Sequence, residues 1–590
     1  EPAFMTLIDL SGEIPDDPFT WLLDAWADRC WAPRDAAAET VDGWEVEAVD
    51  VAGRPGWVLR RAATPGEVVH GSGEAFLGPD LNGQSRLLIN RETNGAAGVD
   101  LAYLNVPFIW SDSGWSLSID TGAPVLMDLS DVYAVLVLDP DATFHTTTGG
   151  PAEILRDHTA RTGRAPAWPD WAYGVWMSRA TYLSAYEMTA VVADLRAADC
   201  PVDVIHVDAW MTGNVFRDFT TNWQVDRERF PAGWTDSLRD AGARVSMWLN
   251  PFVHADSELA VDLHARGLLL RMPDGSPATT CDRSYRNLVD FTNPAAVQWW
   301  QEQIVDLVSS ERPDALKLDF AEEVPPDAIT HDGRPALVVR NSYATLYQQA
   351  TAEALARQGH ASMPLFCRSG STGAQVAPCH WVGDTPSTWD AMAGALAACL
   401  SLSASGFALV THDGGGFYTA GTSHIPATLL DGGQAHYTAD VEPELYGRWA
   451  QFAAFSPVTR FHGLGFREPT AYPQPWRDVA IDALRARRGI VGHLRRAHEQ
   501  ATGTGLPVMR PMTLGTDDPQ GRRAHGQYML GDDLLVAPIL QRGGHTRMWL
   551  PDGRWRPVLG RPELSGDAGW VDVKCDPTSF PVFERVQPDP

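Results

Sequence analysis

The pattern of apolar and polar positions changes texture twice along the 590-residue chain. Up to about residue 165, short alternating runs recur, among them WEVEAVDV (44–51), GWSLSID (114–120) and VYAVLVLD (132–139), parted by Gly, Pro and Asn-Gly. Alternation with period two between turn residues predicts strands, and strands with one apolar face each predict an antiparallel sandwich. A Pro-rich junction at Arg164-Ala-Pro-Ala-Trp-Pro169 closes this part.

Beyond it, apolar runs of the fully buried type alternate with amphipathic stretches. The strand candidates are 172–178, 202–208, 243–251, 315–320, 364–370, 379–384, 406–413 and a short run ending at Phe461-His462. Helical spacing separates them, as in AYEMTAVVADLRAA (185–198) and PAAVQWWQEQIVDLVSS (294–310). Eight such units predict a (β/α)8 barrel. From about residue 506 the texture is β again: QYMLGDDLLVAPIL (527–540), RMWLPDGRWRPV (547–558) with an Asp-Gly hairpin signal at 552–553, and SFPVFERV (579–586). The expected architecture is multidomain: an N-terminal β-sandwich over 1–165, a central catalytic (β/α)8 TIM barrel with inserted loops over 166–505, and a C-terminal β-sandwich domain over 506–590.

The predicted barrel strands end in polar residues: Asp208, Asn250, Asp319, Arg368, Asp384, Asp413 and His462. The C-terminal ends of barrel strands form the face that carries chemistry, so this bias points to a site there. In the strand ALKLDF (315–320), period two puts Lys317 and Asp319 on one face and Leu316, Leu318 and Phe320 on the other. The apolar face packs on helices, which aims Lys317 and Asp319 into the barrel. A neighbouring ammonium keeps a carboxylate ionised, as a nucleophile at an anomeric carbon must be. A purely structural Lys–Asp pair fits the same pattern equally well. Asp384, beside Trp381 and two strands on, is placed to be the second, protonated carboxyl that glycoside cleavage requires, although Gly-Asp is also an ordinary turn. Asp208, Arg368 and His462 can hydrogen-bond sugar hydroxyls, and Trp248 and Trp381 can wall a sugar ring. His206 reads as a satisfied core histidine, and His412-Asp-Gly-Gly-Gly416 lacks the Lys-Ser/Thr of a phosphate loop.

A net charge of −29 argues against nucleic acid and anionic membrane surfaces as partners, and no apolar run reaches membrane-spanning length. Seven scattered cysteines without C-x-x-C spacing disfavour a disulfide framework and a zinc site. No signal-peptide pattern is visible, so a cytoplasmic location is expected. The 23 Trp raise the carbohydrate reading slightly, core packing accounting for most of them.

At these residues the chain resembles glycoside hydrolase family 31, and within it the bacterial α-xylosidase branch. Lys317-Leu-Asp319-Phe320-Ala-Glu322 is similar to the family's K-T-D-F-G-E motif. Arg368-Ser-Gly-Ser-Thr-Gly-Ala-Gln375 running to His380-Trp-Val-Gly-Asp384 resembles R-S-x-S-x-G-A-Q…H-W-G-G-D. His412-Asp-Gly-Gly-Gly-Phe417 and Arg460-Phe-His462-Gly463 resemble H-D-I-G-G-F and R-L-H-G. The resemblance implies a retaining exo-acting α-glycosidase with Asp319 as nucleophile and Asp384 as general acid/base. It implies that Asp208, Arg368, Trp381 and His462 line the subsite for the cleaved sugar, with Lys317 and Trp248 nearby, and that no metal or organic cofactor takes part. The partner is a small carbohydrate or glycoside, and homo-oligomerisation is left open.

Departures from the family pattern bear on the sugar. The α-xylosidases carry a Phe soon after the first barrel strand, filling the space beside C5. Thr181 stands there in this chain, with Arg179 and Tyr182 as substitutes. Ala321 and Val382 replace glycines of the motifs. An α-xyloside is the leading substrate, with α-glucosides, α-galactosides and transglycosylation as alternatives. A sugar-binding relative without catalysis is the non-enzyme alternative, disfavoured by the presence of both Asp319 and Asp384.

Overall fold

The computed structural model describes residues 19–27, 31–34, 38–92, 101–213, 220–281, 286–419, 440–559, 564–566 and 569–586. Near the N-terminus, a seven-stranded and a four-stranded antiparallel sheet face each other. The three runs singled out by alternation form strands Trp44–Val51, Trp115–Asp120 and Val132–Val137. Between the sheets lie Trp44, Leu59, Ile109, Trp115, Leu117, Met127, Tyr133 and Val135, all buried. The outer face of the larger sheet is covered as well, by Phe19, Leu22 and Trp26 of the segment containing helix Thr20–Ala27. A second helix, Pro151–Thr162, departs from the all-β expectation for this part. Pro at its first turn, Glu153 reaching back to the Gly150 N–H, and buried Ile154, Leu155 and His158 on one face explain it.

The sandwich is tied together by one carboxylate. Glu67, only 5% exposed, accepts hydrogen bonds from Ser111, Ser113, Trp115 Nε1, Tyr133 and the Thr64 N–H. Replacing Glu67 with alanine strands these donors. It is expected to destabilise the sandwich by about 3 kcal/mol, read as an earlier first transition in calorimetry of the full chain.

The barrel strands, numbered here from the first of them, are β1 (Val175–Met177), β2 (Val204–Val207), β3 (Arg244–Leu249) and β4 (Ala315–Leu318). They continue with β5 (Leu365–Cys367), β6 (Cys379–Trp381), β7 (Leu409–Thr411) and β8 (Thr459–Phe461). Neighbours pair in parallel and in sequence order from β1 to β7, and β8 pairs with β1. Asp413–Gly414, two residues past β7, pairs with β8 and so closes the ring. Each of the eight strands lies within a predicted run, and helices Ala185–Ala197 and Pro294–Glu311 occupy the two stretches with helical spacing. The 29-residue helix Trp476–Thr504 buttresses the barrel base, where Arg487 donates to the carbonyls of Tyr173, Ala454, Ser456 and Pro457.

The C-terminal part is a six-stranded antiparallel sheet with a separate two-stranded one. One expectation fails here. Strands His545–Leu550 and Gly553–Pro557 flank the Asp552-Gly553 turn but do not pair with each other. The first pairs with Gly569–Lys574 and the second with Val582–Val586, because Trp549 and Trp555 both enter the core between the sheets. The turn is local, while the pairing follows the burial of those rings.

Candidate active site

The parallel barrel aligns the ends of its strands, so polar residues just past them converge. Asp208 follows β2, Asp319 follows β4, Arg368 follows β5, Asp384 lies three residues past β6, and His462 follows β8. Trp248 and Lys317, in register on β3 and β4, point to the same centre.

Asp319 is held by donors on both oxygens. Oδ2 accepts from Lys317 Nζ at 2.8 Å and from Trp248 Nε1 at 2.9 Å. Oδ1 accepts from the Phe320 N–H at 2.9 Å and lies 3.3 Å from Arg368 Nε. Burial alone would raise its pKa, but the charges of Lys317 and Arg368 and the bonds from Lys317 and Trp248 hold it well below the usual carboxylate range. Asp319 is therefore ionised at any physiological pH. The backbone accommodates this geometry at a cost: Phe320 and Ala321 have φ of 59° and 85°, the left-handed region that glycine prefers. This is the position where the family motif carries Gly, and Ala321 occupies it without leaving that conformation.

Asp384 has the opposite environment. Desolvation raises its pKa; Arg368 opposes this, and the carboxylates of Glu92, Asp319 and Asp413 reinforce it, so that the group stands well above the usual range. Its closest cation, Arg368 Nη1, is 3.6 Å away, and 23% of its side chain is exposed. Gly383 places it. With φ 64°, a Cβ there would sit 2.0 Å from the Tyr103 ring. Gly383→Ala is expected to cost about 2 kcal/mol and to reduce turnover by shifting Asp384, measured by thermal unfolding and kcat on one preparation.

Around this pair, Asp208 is contacted by Lys317 Nζ at 3.4 Å and His462 Nε2 at 3.5 Å. His206 bridges Asp208 and Ser246, the satisfied histidine expected from its position. His462, kept neutral by burial and by nearby Arg460 and Lys317, is oriented by Ser178 Oγ at 2.6 Å from its Nδ1. Trp381 is fully buried, stacked on Phe366 with Lys317 Nζ 5.1 Å from its ring. Arg460 pairs with Asp413 beneath the same stack. The eight residues singled out in the sequence thus surround one centre. The proposed substitutes for the aromatic gate do not: Arg179 and Tyr182 both bind Glu468, and Thr181 is buried with its hydroxyl accepting from the Ala209 N–H.

Sequence reasoning passed over two acidic groups. Glu322 grips Arg368 side-on, with Nε and Nη2 each 2.9 Å from its oxygens, and burial lifts its pKa to about 7. The motif comparison contained it, but strand periodicity ends before it. Glu92 comes from the sandwich, 2.8 Å from Arg368 Nη2. No local pattern marks it.

Known proteins resemble the chain over most of its length. The chain is 32% identical over 522 residues to an α-xylosidase of Emericella nidulans, covering 86% of this chain and 62% of the relative. It is 30% identical over 549 residues to the α-xylosidase XylQ of Lactiplantibacillus pentosus, covering 88% and 67%. The chain therefore spans less than two thirds of the first relative's length. A cycloalternan-degrading enzyme from Trueperella pyogenes shares the fold, with a TM-score of 0.83, 24% identity and coverage of 94% of this chain and 85% of the other. The glycosyl hydrolases family 31 TIM-barrel domain matches residues 165–493 and the family's C-terminal domain matches 505–587. The chain belongs to glycosyl hydrolase family 31.

Proposed function

We propose that the chain is a retaining, exo-acting α-glycosidase in which Asp319 attacks the anomeric carbon and Asp384 protonates the departing oxygen. One observation carries this reading: both carboxylates touch a single guanidinium, Arg368, yet their proton affinities are driven in opposite directions. A retaining site needs one ionised and one protonated carboxyl group roughly 5 Å apart, and a shared arginine keeps the two close. In the second step Asp384, then ionised, activates the water that releases the glycosyl–Asp319 ester, or a sugar hydroxyl takes the water's place.

Asp208 and His462 are placed to bind ring hydroxyls. The substrate is a neutral glycoside, since the described cations of the site are already committed: Lys317 to Asp319 and Asp208, Arg368 to four carboxylates, Arg460 to Asp413. An acidic sugar would find carboxylates in its place. An α-xyloside is the first candidate, in keeping with the two α-xylosidases among the relatives. The absence of an aromatic side chain at Thr181 favours a second reading, an α-hexoside with its hydroxymethyl group on that side. Aryl α-xyloside, α-glucoside, α-galactoside and an acidic glycoside, with the first-formed anomer followed by NMR, test both points. The α-anomer is expected first; an initial β-anomer overturns retention, and preferential cleavage of the acidic glycoside overturns the neutral-sugar reading.

A further inference from the structure

We propose that Glu92, delivered to the barrel mouth by the N-terminal sandwich, is a positioning residue that keeps Asp384 in its proton-donating form by occupying Arg368. This rests on the assignment of Asp384 as general acid. Arg368 is the cation nearest Asp384, and its five N–H groups are distributed unevenly. Glu322 takes the Nε and Nη2 edge side-on, Glu92 Oε2 takes Nη2 at 2.8 Å, and Asp319 lies 3.3 Å from Nε. Only Nη1 faces Asp384, at 3.6 Å, too long for a full hydrogen bond. The guanidinium lies 4.1 Å from the Phe320 ring and 4.6 Å from the Tyr103 ring, and the two bonds to Glu322 hold it in its own plane.

Glu92 is itself fixed. Its N–H donates to Glu323 Oε1 at 2.8 Å, and the preceding turn is held by Asn90, which bonds Asn341, Ser369 and Gly370. The carboxylate therefore sits where the sandwich docks against the end of β5. The charged and titratable groups around Asp384 come from four directions. Arg368 follows β5, Asp319 follows β4, Asp413 follows β7, and Glu92 arrives from the sandwich; Tyr418, beyond β7, feels both Asp384 and Glu92. Asp319 and Asp413 are each bound to cations of their own, Lys317 and Arg460. Glu92 instead shares with Glu322 the neutralisation of Arg368, the described cation nearest Asp384, and adds its own negative charge nearby.

The test is the pH dependence of kcat/KM in full-length Glu92→Gln, which keeps a hydrogen-bond acceptor and removes the charge. With an unactivated α-glycoside, the alkaline limb is expected to move to lower pH by about one unit. A dinitrophenyl α-glycoside, whose leaving group needs little protonation, should show no such movement. A uniform loss of activity with an unshifted limb gives Glu92 a merely structural part and overturns the proposal. Should the glutamine variant fail to fold, Glu92→Asp carries the test: it retracts the charge, a smaller shift in the same direction is expected, and an unshifted limb overturns the proposal. The parent reading fails separately, if the wild-type alkaline limb survives in Asp384→Asn.

Discussion

Asp319→Asn is expected to lower kcat/KM on every α-glycoside by about 10⁴-fold or more, together with a loss of stability. The substitution preserves volume and leaves one oxygen to accept from Lys317 or Trp248, but the amide is not a nucleophile. It also removes the negative charge that Lys317 and Arg368 are arranged to hold. Steady-state kinetics on an aryl α-glycoside, with a melting curve on the same sample, checks this. Wild-type rates in the variant would remove Asp319 from the chemistry. Azide added to Asp319→Ala should enter the vacated space and yield the β-glycosyl azide, since one displacement inverts the centre.

Asp384→Ala is the second large effect, and its mark is selectivity rather than size. For a natural disaccharide or alkyl α-glycoside, whose leaving oxygen must be protonated, kcat/KM should fall by about 10²–10⁴-fold. For an aryl glycoside with a good leaving group, the first step should be nearly unaffected, so the glycosyl-enzyme accumulates and a burst precedes slow turnover. Azide should then produce the α-glycosyl azide, retained through two inversions. Equal losses on both substrates would mean that Asp384 binds the sugar and does not move a proton.

The two environments also set the pH profile. In the proposed mechanism Asp319 acts ionised and its pKa is depressed, so the acid limb of kcat/KM is expected below the usual carboxylate range. In that mechanism Asp384 acts protonated and its pKa is raised, so the alkaline limb is expected above that range. Activity should thus be high across a broad window between the two, falling at high pH as Asp384 loses its proton. For Asp384→Ala on an activated glycoside, the alkaline limb should vanish while the acid limb stays.

Much of this was legible in the chain. The barrel strands could be found because a parallel strand buried on both faces is a short continuous apolar run, and a polar residue at its end has no place except the open rim. Lys317 and Asp319 could be aimed inward by counting in twos. Asp384 was less secure, since it lies three residues beyond β6 on a turn, where periodicity no longer dictates direction. The resemblance to a family strengthened its role; the crowd of carboxylates around it gives the physical reason.

Other features were beyond any local pattern. The hairpin expected at Asp552-Gly553 did not form, because two tryptophans drew its arms into different sheets. Arg179 and Tyr182 lay at the right distance in sequence to wall the site, but Glu468, almost three hundred positions on, claimed them both.

The sequence by itself determined the barrel, the convergence of polar strand ends and the identity of the two candidate catalytic carboxylates, since each follows from short-range alternation or from motifs confined to a few residues. Only the tertiary structure decided which charges drive the proton affinity of Asp319 down and that of Asp384 up. Proton affinity depends on every charge within a few ångströms, and here those charges come from β4, β5, β7 and, through Glu92, from a sandwich strand end more than two hundred residues away.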